Sequence, residues 1–175
     1  MGSGITEINK DTFWQLIEET KNQCGQDMDA SISWIKKELL SMPPEQSLQF
    51  HAIMHGYRDL ADKYGLWTAA IFIKEYGCSD DGFMDFRAWL IAQGKDIYMA
   101  ALENPDSLPR VEQYGDCEFE LLNYVGDYAY QELTGRSAYG WKAGGVWSII
   151  DSVGISKRHF YDHCWCFCRI SGINI

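Results

Sequence analysis

The residues whose types and spacing best suit a chemical site lie together in a turn near the middle of the chain. Ser79, Asp80 and Asp81 are consecutive in GCSDDGF, and Arg87 follows about two helical turns later. Two carboxylates on a tight turn can hold a divalent cation or orient a cationic ligand, and an arginine can pair with a carboxylate or with an anionic substrate. A simpler interpretation is that Ser79 or Asp80 caps the helix and Arg87 forms a structural ion pair across the turn.

A second group of potential ligands lies near the C-terminus, in HFYDHCWCFC. On a helix, His159 and His163 are four residues apart and Cys166 lies one turn further on the same face, which would present three zinc ligands. On a strand, Cys164, Cys166 and Cys168 would share one face instead. Neither arrangement gives four ligands with a recognised spacing, and cysteines between aromatic residues also suit core packing. We therefore predict no cofactor and no metal, with His159, His163 and Cys166 as the metal candidates to test.

Motifs for nucleophilic catalysis are missing from the sequence, which contains no G-x-S-x-G, no P-loop and no H-E-x-x-H. His51 and His55 are four residues apart on a predicted helix, where Glu45 or Asp59 could orient one of them as a base. Such a pair is more often half-exposed and inert. The sequence predicts no reaction, and whether the chain is an enzyme stays open.

The elements that must position these residues are predicted to be helices. The turn opens directly into an amphipathic helix, in which Phe83, Phe86 and Leu90 repeat at helical spacing. In chain order the predicted helices run from Asp11 or Thr12 to Cys24-Gly25, from Asp29 to Ser41, from Pro44 to Tyr64, from Leu66 to Tyr76, from the turn to Gly94, from Asp96 to Leu102, and from Cys117 to Leu133.

The fourth of these segments, Leu66 to Tyr76, is the most apolar part of the predicted helical region. We expect it to be the central buried helix. A buried strand is the competing interpretation, because Ile71, Phe72 and Ile73 favour sheet. The helix is preferred because two consecutive alanines suit a strand poorly and helices flank the segment on both sides.

The predicted fold class is mainly α, with a compact multi-helix domain at residues 11–136. Residues 1–10 are predicted to form a flexible N-terminus. Residues 137–175 form a Gly/aromatic-rich C-terminal extension, expected to pack on the core. Its secondary structure stays open, because residues 155–175 fit either a helix capped by Ser156 or an alternating strand.

Composition and charge limit the classes of partner. The net charge of -10 argues against a nonspecific grip on nucleic acid, because phosphate binding needs a surplus of Lys and Arg. No apolar run approaches the roughly 18 residues of a membrane span, and we expect no signal peptide. We expect a cytoplasmic protein whose six cysteines are reduced, with a protein partner, no nucleic acid and no membrane.

One long central string and three shorter segments of the sequence have a distinctive residue order. The central string is Gly77-Cys78-Ser79-Asp80-Asp81-Gly82-Phe83 with Phe86-Arg87, Trp89-Leu90-Ile91 and Gly94. The shorter segments are Phe13-Trp14, Asn104-Pro105-Asp106-Ser107-Leu108 and Ala129-Tyr130-Gln131-Glu132-Leu133-Thr134-Gly135. In these segments, which cover about residues 11–136, the sequence resembles the bacterial domain-of-unknown-function family 4240. The resemblance implies a small, mostly helical intracellular domain and supplies no reaction. The chain departs from the family pattern by extending past Gly135.

Together these observations predict a non-catalytic acidic binding protein, of the kind an immunity or regulatory protein represents when it masks a partner. The alternative is an enzyme or small-ligand-binding protein with its site at the Ser79-Asp80-Asp81 turn and Arg87. The predicted ligand- or partner-binding residues are Ser79, Asp80, Asp81, Arg87, Tyr139, Trp141 and Trp147.

Overall fold

The structure, a computed structural model, describes residues 4–74, 77–111 and 116–138. Within these ranges the chain forms seven α-helices and two short 3-10 helices, with no strand, which confirms the predicted mainly α fold. The α-helices are α1 Lys10–Cys24, α2 Met28–Leu40, α3 Pro44–Leu60, α4 Tyr64–Ile73, α5 Asp80–Ala92, α6 Lys95–Glu103 and α7 Val125–Thr134. The first 3-10 helix is Pro105–Arg110, and the second is Glu120–Asn123.

Helices α3 and α5 form the centre of the domain. Helix α3 packs against α1, α2, α5 and α7, while α5 also contacts α1, α4 and α6. The side chains of Phe86, Trp89 and Leu90 on α5 are fully buried, as is Phe50 on α3. The apolar spacing that predicted an amphipathic α5 therefore marks the face that packs in the core.

The first helix starts earlier than predicted, at Lys10. Asp11 or Thr12 was expected to cap it, but the cap is Asn9, whose side chain accepts hydrogen bonds from the backbone N–H groups of both. The Thr12 hydroxyl accepts in return from the Asn9 N–H, which completes a capping box. Upstream of the helix, Ile5 and Ile8 are buried against the core.

The prediction for the third helix was wrong at its C-terminal end. It was expected to reach Tyr64, but α3 ends at Leu60 and Tyr64 is the first residue of α4. The chain turns in between, where Asp62 pairs with the Arg87 guanidinium and the Lys63 ammonium group donates to the Leu102 carbonyl. The chain therefore turns at a point where it contacts distant residues.

The prediction that the fourth helix is the central buried element was also wrong. Helix α4 lies at the surface and buries only Leu66 and Ala70, because α3 and α5 already fill the centre. The prediction of helix over strand for this segment is confirmed.

The last predicted helix, Cys117 to Leu133, is divided in two. The second 3-10 helix precedes α7, and Tyr124 separates them. The division follows from tertiary contacts, because the Phe119 N–H donates to the Asp85 carbonyl of α5 at 3.0 Å and Cys117 has a positive φ of 52°. Both features would be lost in a continuous helix.

The predictions for Tyr139, Trp141, Trp147, His159, His163 and Cys166 lie outside the described residues. Among the helices that the structure describes, none is both long and apolar enough to cross a membrane.

Candidate functional site

The predicted Ser79-Asp80-Asp81 turn forms the N-terminus of α5. The Ser79 hydroxyl oxygen accepts a hydrogen bond from the Gly82 N–H at 3.1 Å, so Ser79 is the helix cap. Asp80 and Asp81 occupy the exposed first turn, where carboxylates interact favourably with the positive end of the helix dipole. The turn is therefore a solvated helix cap.

Arg87 lies in a different environment, at the junction of α5 with the end of α3. Its Nη1 donates to the Arg58 carbonyl at 3.1 Å and lies 3.6 Å from the Asp62 carboxylate. Its guanidinium also lies over the Phe83 ring, 4.7 Å from the centroid. Burial lowers the pKa of Arg87, and the nearby Asp62 carboxylate opposes that shift. These contacts are those of a buried arginine that joins two helices.

Arg87 and the two turn carboxylates thus belong to separate surroundings. Asp80 is seven residues from Arg87 along one helix, which corresponds to about 10 Å at 1.5 Å per residue. Arg87 forms its ion pair with Asp62, which lies in the turn between α3 and α4. Throughout residues 4–74, 77–111 and 116–138, no group of three or more His, Cys, Asp or Glu side chains is placed to hold a metal ion.

His51 and His55 form a pair on α3, in which His51 is buried and His55 is partly buried. Their rings lie 4.1 Å apart between centroids, and the His55 Nε2 is 3.1 Å from the Asn123 carbonyl oxygen, to which it donates. Helix α7 packs closely against His51 at Gly126, which has no side chain; a Cβ at this position would lie 2.9 Å from the His51 Cβ. The Asn123 side chain continues the contact by donating to the Asp85 carboxylate at 3.0 Å.

Burial sets the protonation state of this pair. It lowers the pKa of His51 to about 4, with Asp127 opposing the shift and Arg58 adding to it. Burial, together with the neighbouring His51 and Arg58, lowers the pKa of His55 to about 3, and the hydrogen bond to the Asn123 carbonyl opposes the shift. Bases this weak are poorly matched to proton transfer near neutral pH. The pair therefore packs as two neutral rings at the contact of α3 with α7 and the second 3-10 helix.

The most unusual surface of the described domain is the outer face of α4. Tyr64, Thr68, Ile71 and Phe72 occupy positions i, i+4, i+7 and i+8, which places them on one face; we call this face the α4 surface. Tyr64 is 88% exposed, Phe72 is 84% exposed and Ile71 is 46% exposed. Helix α4 contains no charged residue, and its solvent-facing side presents large apolar side chains together with the Tyr64 and Thr68 hydroxyls.

Contacts on the inner side hold α4 firmly in place. Leu66 and Ala70 are fully buried, and the Trp67 ring stacks on Phe83 of α5 with centroids 5.0 Å apart. The Trp67 Nε1 donates to the Cys78 carbonyl at 3.1 Å. Just beyond the helix, the Lys74 ammonium group pairs with Glu118. The exposed face is thus presented by a helix that is anchored at both ends and along its inner side.

A shallow depression continues the α4 surface toward the first 3-10 helix. It is lined by Phe72, Ala69 and Ile73 of α4 and by Pro105, Asp106 and Pro109. Asp106 contributes an exposed carboxylate to its rim. Asp62, also exposed, lies two residues before α4 at the opposite end of the helix. Apolar side chains with carboxylates at their margin form the kind of surface that contacts an apolar segment flanked by basic residues.

Sequence reasoning did not identify Tyr64, Ile71 and Phe72 as surface residues. Tyr64 was assigned to the end of the third helix, and the other two were expected in the core. The available signal was the spacing of Tyr64, Ile71 and Phe72 on one face, opposite Leu66 and Ala70. A helix without charged residues carries apolar side chains on every face. The spacing alone therefore did not indicate which face of α4 is buried.

Comparison with protein-family models identifies the family of the chain. The family model described as Protein of unknown function (DUF4240) matches residues 8–132. No curated protein and no solved structure matches the chain. The matched region contains all of α1–α6, both 3-10 helices and most of α7.

Proposed function

The chain belongs to the DUF4240 family of proteins of unknown function, and we propose that it is a non-catalytic binding protein that contacts a partner protein through the α4 surface. Its role is of the kind that an immunity or regulatory protein plays when it covers part of its partner. We also place the protein in the cytoplasm, an expectation that comes from the sequence.

One observation carries this proposal: Tyr64 and Phe72 are 88% and 84% exposed on a well-anchored, charge-free helix. Clustered exposed apolar side chains with a polar rim are typical of protein contact sites. Aromatic side chains are enriched at the energetic centres of interfaces, because they bury a large area with few rotatable bonds. A helix held rigidly in the free protein also loses little conformational entropy on binding.

The charge of the chain favours a partner of a particular chemistry. The protein carries a net charge of -10, and the exposed Asp106 carboxylate lies at the rim of the depression beside Phe72. An apolar segment bordered by lysine or arginine would match both the apolar centre and the acidic margin. We therefore expect a basic protein partner, whose association rate falls as salt concentration rises.

The alternative function, an enzyme or small-ligand site at Ser79, Asp80, Asp81 and Arg87, has less support. The turn is a solvated cap, and the Arg87 guanidinium is engaged with Asp62 and the Arg58 carbonyl. A catalytic site usually brings its charged groups together in a partly apolar cleft.

The test compares partner capture by the full-length protein and two variants. Tyr64→Ser/Phe72→Ser removes the two most exposed aromatic rings, and Leu133→Ser removes a 38% exposed apolar side chain from α7. The aromatic variant should lose a stoichiometric partner that the wild type and Leu133→Ser both retain. Its free energy of unfolding should stay within about 0.5 kcal/mol of wild type, as expected for surface substitutions.

Two results would contradict the proposal. Equal capture by all three proteins would place the contact away from α4, and no stoichiometric partner for the wild type would argue against a binding function. Urea unfolding of each protein shows whether a lost interaction comes from lost folding.

A further inference from the structure

We propose that the depression between α4 and the first 3-10 helix binds an arginine side chain of the partner protein. This inference rests on the proposed function, because it names the part of the partner that contacts this surface. The aliphatic stem of the arginine would lie against the apolar walls of the depression. Its guanidinium would pair with the Asp106 carboxylate and stack on the Phe72 ring.

The size and lining of the depression suit one long side chain with an apolar stem. Its volume is about 370 Å³, near the lower end of the roughly 300–1,000 Å³ that is typical of ligand pockets. One of the residues that line it is charged, and this residue is Asp106. The others are apolar: Ala69, Phe72, Ile73, Pro105 and Pro109. Arginine and lysine combine an apolar stem with a charged end, so either side chain can contact both parts of such a site.

The Asp106 carboxylate is available to a cationic ligand. Its side chain is exposed, and it forms no hydrogen bond or ion pair with the other residues that the structure describes. The charged side chains at the two ends of α4 already have partners: Asp62 pairs with Arg87, Lys63 donates to the Leu102 carbonyl, and Lys74 pairs with Glu118. A basic side chain that enters the depression therefore meets a carboxylate without competing for it.

The walls of the depression are held in place before a ligand binds. The Asn104 side chain accepts a hydrogen bond from the Asp106 N–H at 3.1 Å and caps the first 3-10 helix. Leu108 of that helix is buried in the core. Helix α4 lies close to the same segment, because a Cβ at Gly65 would be 3.3 Å from the Pro105 Cγ. Binding therefore requires little ordering of the protein.

The exposed Phe72 ring favours arginine over lysine. The ring is 84% exposed where it lines the depression, so a cation can reach it. A guanidinium is planar and weakly hydrated, and it can stack on a ring while it donates two parallel hydrogen bonds to a carboxylate. The ammonium group of lysine is a compact, strongly hydrated charge. Arginine is therefore the basic side chain that uses both Phe72 and Asp106.

The test measures peptide binding by NMR titration of the isotope-labelled full-length protein. The probe is acetyl-Leu-Arg-Leu-amide. Its matched control contains citrulline, which keeps the shape of arginine without the charge, and a second control contains lysine. We expect the arginine peptide to shift the backbone amide signals of Ala69, Phe72 and Asp106 at millimolar concentrations. It should bind about three- to twentyfold more tightly than the citrulline peptide, with the lysine peptide between the two.

Three variants locate the contact within the depression. Asp106→Asn should weaken binding of the arginine peptide about two- to fivefold and reduce its preference over citrulline. Phe72→Leu should weaken it about two- to fivefold and reduce its preference over lysine. The control is Asp96→Asn, which makes the same change at an exposed aspartate of α6 that does not line the depression. It should leave binding unchanged, and the spectrum of each variant shows whether it is folded.

The inference is overturned if the arginine peptide does not bind, if it binds no better than the citrulline peptide, or if the shifted signals lie away from the depression. Equal effects of Asp106→Asn and Asp96→Asn would also overturn it. Partner capture is a separate result. Capture that is lost in Tyr64→Ser/Phe72→Ser and unchanged in Asp106→Asn keeps the proposed function and rejects the arginine contact. Arginine-specific binding at the depression without a captured partner rejects the proposed function and keeps the arginine site.

Discussion

The buried histidine pair predicts how stability depends on pH. His51 and His55 have folded-state pKa values of about 4 and about 3, below the ordinary value of 6.5. Between pH 6.5 and about 4 the unfolded chain therefore binds protons that the folded protein does not bind. Acidification in this window favours unfolding, and stability rises again as pH increases.

The size of this effect follows from the two pKa values. At pH 5, an imidazole with a pKa of 6.5 in the unfolded chain and about 4 or below in the folded protein lowers the free energy of unfolding by about 2 kcal/mol relative to neutral pH. The two histidines together account for about 4 kcal/mol. That is a large share of the roughly 5–15 kcal/mol that stabilises a typical domain.

Other buried groups act in the opposite direction, so the variant must isolate the histidines. Burial raises the pKa of Asp59 and Asp85, with Glu120 and Asp81 raising that of Asp85 further. Such carboxyl groups take up protons in the folded protein first, which opposes destabilisation as pH falls. The comparison is therefore between wild type and His51→Gln/His55→Gln, which share these carboxyl groups.

The assay is urea unfolding followed by far-ultraviolet circular dichroism at about pH 7.5 and at pH 5. Wild type should lose about 4 kcal/mol more stability between these two conditions than the double variant, and each single variant should recover about half of the difference. The variant starts from lower stability at pH 7.5, because the His55 hydrogen bond to the Asn123 carbonyl is altered, but the quantity compared is the change with pH. An equal pH dependence in wild type and double variant would refute the inference that both rings are buried in the neutral form.

Two further substitutions test how the helices are joined. Gly126→Ala should lower the free energy of unfolding, measured in urea, by about 1 kcal/mol or more, because an added Cβ would lie 2.9 Å from the His51 Cβ and 3.0 Å from the His51 backbone. This cost exceeds the gain in helix propensity. The control is Gly65→Ala, whose added Cβ meets only the Pro105 ring at 3.3 Å, and equal stability of the two variants would contradict the close packing of α3 on α7. Arg87→Met should lower the free energy of unfolding by about 1–3 kcal/mol, because the Arg58 carbonyl loses its hydrogen-bond donor. The variant should still capture the partner, and loss of capture by the folded variant would instead place Arg87 in the contact.

Local sequence signals were sufficient where a helix end depends on its own residues. Ser79 before two aspartates predicted the start of α5, and its hydroxyl caps the helix. Pro44 predicted the start of α3, since proline suits a first helical turn. The predicted end at Leu133 lies one residue from the end of α7 at Thr134, and Gly135 follows in the left-handed conformation that commonly ends a helix, with a φ of 69°.

Local signals failed where a distant contact determines the backbone. Nothing near Phe119 in sequence indicates that its N–H donates to the Asp85 carbonyl, and this contact helps to divide the predicted last helix. The same applies to Arg87, which was expected to pair within its own turn and instead contacts Asp62, before α4. Both pairings become visible only when the packing of α5 on its neighbours is known.

Helix α4 shows why an apolar pattern does not determine which face of a helix is buried. Its fully buried face includes the small Ala70, which lets the helix approach the core closely, while the large rings of Tyr64 and Phe72 point outward. Covering these rings and Ile71 would contribute about 3–7 kcal/mol, at 1.5–3 kcal/mol per fully buried side chain scaled by present exposure. A separate molecule must first offset about 4–15 kcal/mol of lost translational and rotational freedom, so these three residues alone do not hold a free partner tightly. A partner bound at the α4 surface would therefore need additional contacts, and the exposed Asp106 carboxylate at the rim of the depression beside Phe72 is placed to make one of them.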